Sequence, residues 1–188
     1  MVKLTSPAEA RQLLADARAV IDESLEGALS LLHADRGDLQ IVDPASGSLR
    51  IAAQAGLGDE YLEYFATVDD EGSACGRAAR QLEQIVIADV NTDARFAPHR
   101  EIAAASGFRA VHSTPLVGTR GRLVGVLSTH YRCPYRPPAG DLALMKRFGE
   151  LIGQAVEASL EADGQAAFLR FRELAGQAGH RGEAAGNT

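Results

Sequence analysis

The chain has 188 residues, 46% of them apolar and 23% charged, with a net charge of −6, which suits one ordinary globular domain with a substantial core. The acidic balance and the absence of an arginine or lysine stripe argue against nucleic acid. No apolar run is long enough to span a bilayer, and MVKLTSPAEARQ lacks a secretory core, so a cytoplasmic location with no membrane contact is expected.

Ser6-Pro7-Ala8-Glu9 is a capping box, after which Leu14, Ala17, Ile21, Leu25, Ala28 and Leu32 recur at intervals of three and four. This predicts a helix reaching about Leu32, with His33 beside its last carbonyls. Leu39 and Ile41 alternate before the turn Asp43-Pro44-Ala45-Ser46-Gly47, and Leu49, Ile51 and Ala53 alternate after it, which predicts a hairpin. A short amphipathic piece around Tyr61, Leu62 and Phe65 follows.

Ser73 is expected to cap a helix over Cys75 to Leu82. Ile85-Val86-Ile87 reads as a buried strand ending at Asp89, apolar on both sides as a middle strand would be. The stretch NTDARFAPHREIAAASG reads as a turn and a short helix closed by Gly107, with His99 and Arg100 on a solvated face. A second hairpin flanks Gly118-Thr119-Arg120-Gly121. From Pro138 a long helix presents Leu144, Phe148, Leu151, Ala155 and Leu160. Beyond Gly164, Phe168, Phe171 and Leu174 extend an apolar stripe over residues 163–175, which predicts a homodimer through the terminal helices. Residues 176–188 read as a disordered tail. Antiparallel hairpins with helices between them make this an α+β fold.

The second hairpin, RAVHSTPLVGTRGRLVGVLSTHY, is the densest in chemistry. Pairing Val117 with Arg122 puts Val111, Ser113, Pro115, Val126, Ser128 and His130 on one face. His112, Thr114, Leu116, Leu123, Leu127 and Thr129 take the other, where Leu116, Leu123 and Leu127 offer an apolar seat for the terminal helices. The two histidines then point apart, and no acidic residue in the local sequence is oriented toward either, so a hydrolytic triad is not indicated. Ser113, Ser128 and His130 instead read as polar handles in a cavity wall. Asp89 is open to two readings: accepting hydrogen bonds from a ligand, or closing its turn on backbone amides. Cys75 and Cys133 fit no metal-ligand spacing. Cys75, near a helix N-terminus, reads as a packing residue over a thiolate favoured by the helix dipole.

The pieces GSACGRAA, IVIADVNTDARF, SGFRAVHSTPLV and GRLVGVLSTHYRCPYRPPAGDLALM resemble, in order and spacing, the GAF domain of signalling proteins, and the resemblance spans roughly residues 10–162. It is most similar to GAF domains found near bacterial histidine kinases. The resemblance implies a helix over 1–34 and a sensory domain over 35–162. It implies a central antiparallel sheet of five or six strands, with terminal helices on one face and small helices enclosing a ligand cavity on the other. The expected ligand set is Val111, Ser113, Ser128 and His130, joined by Asp89, Phe96 and Cys75, with no catalytic or metal-binding residue. The expected partners are a small molecule and a signalling protein such as a histidine kinase, because no kinase, cyclase or helix-turn-helix segment follows in this sequence.

Three other readings stay open. GRLVGVLSTHY resembles the bilin-contacting hairpin of phytochromes, but the Pro-x-Ser-Asp-Ile-Pro motif and the cysteine-histidine pair are absent, leaving bilin or single-histidine haem as secondary cofactors. GSACGRAA resembles an element of free methionine sulfoxide reductases, but ADVNTDARFAPHREIAA lacks the cysteine that does their chemistry. The cyclic-nucleotide signature is also missing. A ligand-free dimerisation scaffold completes the alternatives.

Overall fold

A computed structural model of the chain describes residues 7–161, with side chains described for residues 18–159. Ser6, the apolar stripe over residues 163–175 and the tail over 176–188 lie outside the described residues, as do the side chains of Leu14, Ala17 and Leu160. Helix α1 spans Pro7–Leu32, beginning on the expected proline. It ends because His33 adopts a left-handed backbone, φ 49°, which lets the Ala34 amide donate to the Leu29 carbonyl at 3.0 Å.

Strands β1 (Arg36–Val42) and β2 (Leu49–Ala55) form the first hairpin. Three short elements follow: α2 (Asp59–Tyr64), α3 (Ala74–Gln81) and the three-residue β3 (Ile85–Ile87). A 3₁₀ turn over Ala97–His99 leads into α4 (Arg100–Ala105). The second hairpin is β4 (Ala110–Val117) and β5 (Leu123–Tyr131), and α5 covers Ala139–Glu161. All pairs in the five-stranded sheet are antiparallel, in the order β2-β1-β5-β4-β3.

One face of the sheet is closed by the two long helices. Ile21, Leu25, Ala28 and Leu32 of α1 pack with Met145, Ile152 and Val156 of α5 over Leu39, Ile41, Leu116 and Leu127. The other face carries a second core, in which Tyr61, Phe65, Phe96 and Phe108 pack over Val111 and Val126.

Four expectations about this frame need correction. Ile85-Val86-Ile87 lies at an edge, and Ile85 and Val86 are only half-buried. Leu144 and Leu151 do not face the sheet: they are 49% and 65% exposed, and Ala155 is exposed as well. The buried face of α5 carries Met145, Ile152 and Val156, with Gly149 and Gly153 between them. A Cβ on Gly153 would lie 2.5 Å from the Val117 backbone, so the helix rests almost directly on β4. Third, the second hairpin pairs Val111 with His130 and Ser113 with Ser128, two positions from the expected register, which leaves the face assignments of both strands intact there. The register then shifts, because Leu116 opposes Gly125 while Val117 opposes Leu123. This bulge at Val124 turns Leu123 to the second core and gives its expected seat under the long helices to Val124, the fourth correction.

Candidate functional site

The face of the sheet turned away from α1 and α5 carries Asp38, Ser113, Ser128 and His130. Cross-strand pairing aligns Asp38, Ser128 and Ser113 in one row and Arg36, His130 and Val111 in the next. The Ser113 and Ser128 hydroxyls lie 2.8 Å apart. Above these rows the chain folds back as α2, α3 and the 3₁₀ turn. Ser73 caps α3 as expected, its hydroxyl accepting from the Gly76 amide at 3.1 Å. The Asp70 carboxylate holds the preceding turn by accepting from the Gly72 and Ser73 amides at 2.7 and 2.6 Å.

Between the layers lies a narrow cavity. Val111, Ser113, Ser128 and His130 form its floor, and Tyr61, Phe65, Cys75, Phe96 and Phe108 are among its walls. The centre of a water molecule can move over only about 10 Å³ of it, room for about one water. The rings fill the rest: Tyr61 and Phe65 are 4.7 Å apart between centroids, and Phe108 and His130 4.6 Å.

Six of the seven expected residues thus meet around one cavity: Val111, Ser113, Ser128, His130, Phe96 and Cys75. Asp89 does not. Its carboxylate accepts from the Asn91 amide at 3.0 Å and pairs with Arg109 at 2.8 Å, closing a turn on the surface. The Arg109 guanidinium, with the Asn91 amide, holds that carboxyl below its usual range.

Sequence reading missed the group that dominates the electrostatics. Asp38 is fully buried, and its Oδ1 accepts from the Tyr61 hydroxyl at 3.0 Å. His130 Nε2 lies 3.2 Å from the same hydroxyl and 3.9 Å from Asp38 Oδ1. Asp38 Oδ2 has no partner, nor does either polar atom of the neighbouring Gln40 amide, two positions along the same strand face. Burial raises the Asp38 carboxyl to about 7, and the Tyr61 bond offsets only part of this. Burial likewise pushes the His130 imidazole down to about 3, helped by the Arg36 charge. At neutral pH the imidazole is uncharged and the carboxyl is poised between its two forms. The signal was present in RGDLQIV, where an acid and an amide alternate with apolar residues. Once helices cover both faces of the sheet, that alternation buries both polar side chains instead of solvating them.

Cys75 is not activated. Burial, and then the Asp38 charge, push its thiol up to about 12, overriding the helix dipole. Its Sγ sits 3.5 Å from the Ser73 hydroxyl. His99 also departs from expectation. It is buried, with Nδ1 3.1 Å from the Tyr64 hydroxyl, Nε2 3.4 Å from Asp70, and its ring among Phe65 and Phe96. Arg100 is only half-exposed and donates to the Val90 and Asp93 carbonyls. His112 faces the long helices, 3.3 Å from the Thr114 hydroxyl and 3.4 Å from Gln84 Nε2, and burial pushes it down to about 4.

A tetrapyrrole does not fit this arrangement. The void admits about one water, and the His130 Nε2 that would meet a haem iron is engaged with Tyr61. Among the described residues, no group of three His, Cys, Asp or Glu is arranged to hold a metal ion. No helix among them is long and apolar enough to cross a membrane.

A family model described as the GAF domain matches residues 8–156. The chain belongs to the GAF domain family. None of the curated protein sequences matches this GAF domain. Among solved structures it is similar to a domain assigned to a two-component sensor histidine kinase from Sinorhizobium meliloti. That match has a TM-score of 0.62 and 22% identity, covering 75% of this chain and 90% of that one. The blue-light-absorbing form of the PixJ GAF domain from Thermosynechococcus elongatus matches at TM-score 0.63 and 17% identity, covering 95% and 98%. Free methionine-R-sulfoxide reductase from Neisseria meningitidis, solved with its substrate, matches at TM-score 0.61 and 18% identity, covering 86% and 97%. At these identities the likeness is one of fold.

Proposed function

We propose that this GAF domain is a cytoplasmic sensory module that binds a small molecule in the cavity above Ser113, Ser128 and His130 and signals through a partner protein. The observation that carries the reading is the convergence of the buried polar side chains of Ser73, Ser113, Ser128 and His130 on one narrow cavity walled by aromatic rings. Apolar walls with a few fixed polar groups are the usual make-up of a small-molecule site. A histidine kinase is the partner class favoured by the fold relative from Sinorhizobium meliloti. The domain works as a homodimer, with Leu144 and Leu151 of α5 supplying an exposed apolar stripe for the contact.

The module is not an enzyme in this reading. The reductase relative shares the fold, yet the thiol in this cavity is held protonated at neutral pH, and the second cysteine, Cys133, is exposed elsewhere. One observation favours the alternative of a ligand-free dimerisation scaffold: the rings leave room for about one water. Thermal denaturation of the purified chain against a panel of metabolites and nucleotides separates the two. A ligand at a hundredfold its Kd adds about 2.7 kcal/mol to stability, whereas a scaffold leaves Tm unchanged throughout.

A further inference from the structure

We propose that the molecule this cavity takes is a small organic cation, an alkylammonium whose N–H groups complete the Asp38 carboxylate. The inference rests on the sensory reading above and names its ligand class. Three independent features converge on positive charge. The first is the Asp38 carboxyl itself, fully buried, with Oδ2 unpartnered and Oδ1 held only by the Tyr61 hydroxyl. A buried acid in this state lacks the donor that would stabilise its charge.

The second feature is the wall. Tyr61, Phe65, Phe96 and Phe108 surround the space with aromatic rings, and ring faces attract cations, most strongly where water is excluded. The third is what the lining lacks: none of the residues around the cavity is a lysine or arginine. The nearest positive charge, Arg36 beside His130, lies outside the lining and donates to the Gly107 carbonyl, whereas an anion would face Asp38 behind the Tyr61 hydroxyl. The ligand cannot fit while Tyr61 fills the space, so it takes the place of that hydroxyl on the carboxylate. Tyr61 rides on α2, only six residues long, whose charged side chains are all acidic: Asp59, Glu60 and Glu63.

This arrangement couples binding to pH. The groups facing Asp38 are Tyr61 from α2, Cys75 from α3 and His130 from β5, with Arg36 of its own strand near His130. All three facing groups are uncharged at neutral pH, so the carboxyl is the one that ionises as the ligand enters. A cation draws the carboxyl to its charged form, and bound protons are released.

The test uses three probes of one size and different charge, n-propylammonium, n-propanol and propionate, titrated calorimetrically into the full chain. Propylammonium should bind best, about tenfold more tightly at about pH 8 than at about pH 6, as the ionised fraction of Asp38 rises from about a tenth to about nine tenths. Asp38→Asn, which keeps the shape of the neutral acid, should lose both the preference for the cation and its pH dependence. If propanol or propionate binds as tightly as propylammonium, or if the variant keeps the cation preference, the cation proposal is overturned while the sensory reading stands. Silence from all three probes also overturns it, and the sensory reading falls with it only if the metabolite panel is silent too.

Discussion

The Tyr61 hydroxyl donates a 3.0 Å hydrogen bond to Asp38 Oδ1, fastening a six-residue helix to strand β1 of the sheet. The acceptor is a carboxyl that burial raises from 3.8 to about 7, so the fold prefers it protonated. Its contribution to stability is complete below 3.8 and is lost as pH rises towards 7. His112 and His130, pushed down from 6.5 to about 4 and about 3, work the other way: their contribution is complete above 6.5 and is lost as pH falls. Asp38→Asn removes only the first contribution. Its stability relative to the parent should climb by about 1.4 kcal/mol per pH unit between about pH 4 and about pH 7. Urea denaturation of both proteins across that range checks this, and parallel profiles would mean that Asp38 is ionised in the folded chain.

The seat of α5 on β4 makes a second prediction. Gly153→Ala puts a methyl group 2.5 Å from the Val117 nitrogen and carbonyl oxygen, neither of which can rotate away. The helix must lift, at a cost of about 1–3 kcal/mol. Gly140→Ala, with nothing within 4 Å of the new Cβ, is the control and should change stability by less than about 0.5 kcal/mol. Equal Tm values for the two variants would contradict the close approach.

Thiol chemistry offers a third. Cys133 is exposed, whereas Cys75 is buried with its thiol pushed up to about 12. Iodoacetamide at neutral pH should therefore modify Cys133 alone in the native chain and both cysteines in urea. Mass spectrometry that finds rapid native labelling of Cys75 would reopen the redox reading.

The proposed homodimer makes a fourth. Leu144 and Leu151 stand on the outer side of α5, away from both cores. Changing both to Glu should give a monomer in sedimentation with little change in Tm, because neither side chain supports the core. A parent chain that is itself monomeric at high micromolar concentration would remove the dimer.

Patterns that repeat along the chain were legible from sequence. The apolar face of α1, the Ser73 cap and the alternation of the second hairpin follow from local spacing, and the structure keeps the first from Ile21 to Leu32, the cap, and the alternation up to the bulge. What escaped depends on partners distant in sequence. Alternation in RGDLQIV cannot say that both faces of β1 are covered, so nothing in it singled out Asp38 and Gln40 as buried. His99 looked like part of a wet helix face until Tyr64 and Phe65 came over it. The bulge at Val124 has no strong local signature, and it alone moves Leu123 from one core to the other. On α5 Leu144 and Leu151 drew attention, although Met145, Ile152 and Val156 face the sheet and Gly149 and Gly153 let the backbone come close to it.

Helices α1 and α5 close the same face of the sheet, although all five strands are threaded between them. A ribosome therefore delivers every strand before the second half of that cover exists. Until α5 emerges, Leu116 and Leu127 have only α1 to shield them, and the two helices meet across the longest loop closure in the fold. Maturation of this domain during synthesis waits on α5. A chain stalled before Ala139 would be an aggregation-prone client for chaperones, with a nearly complete sheet and one bare side.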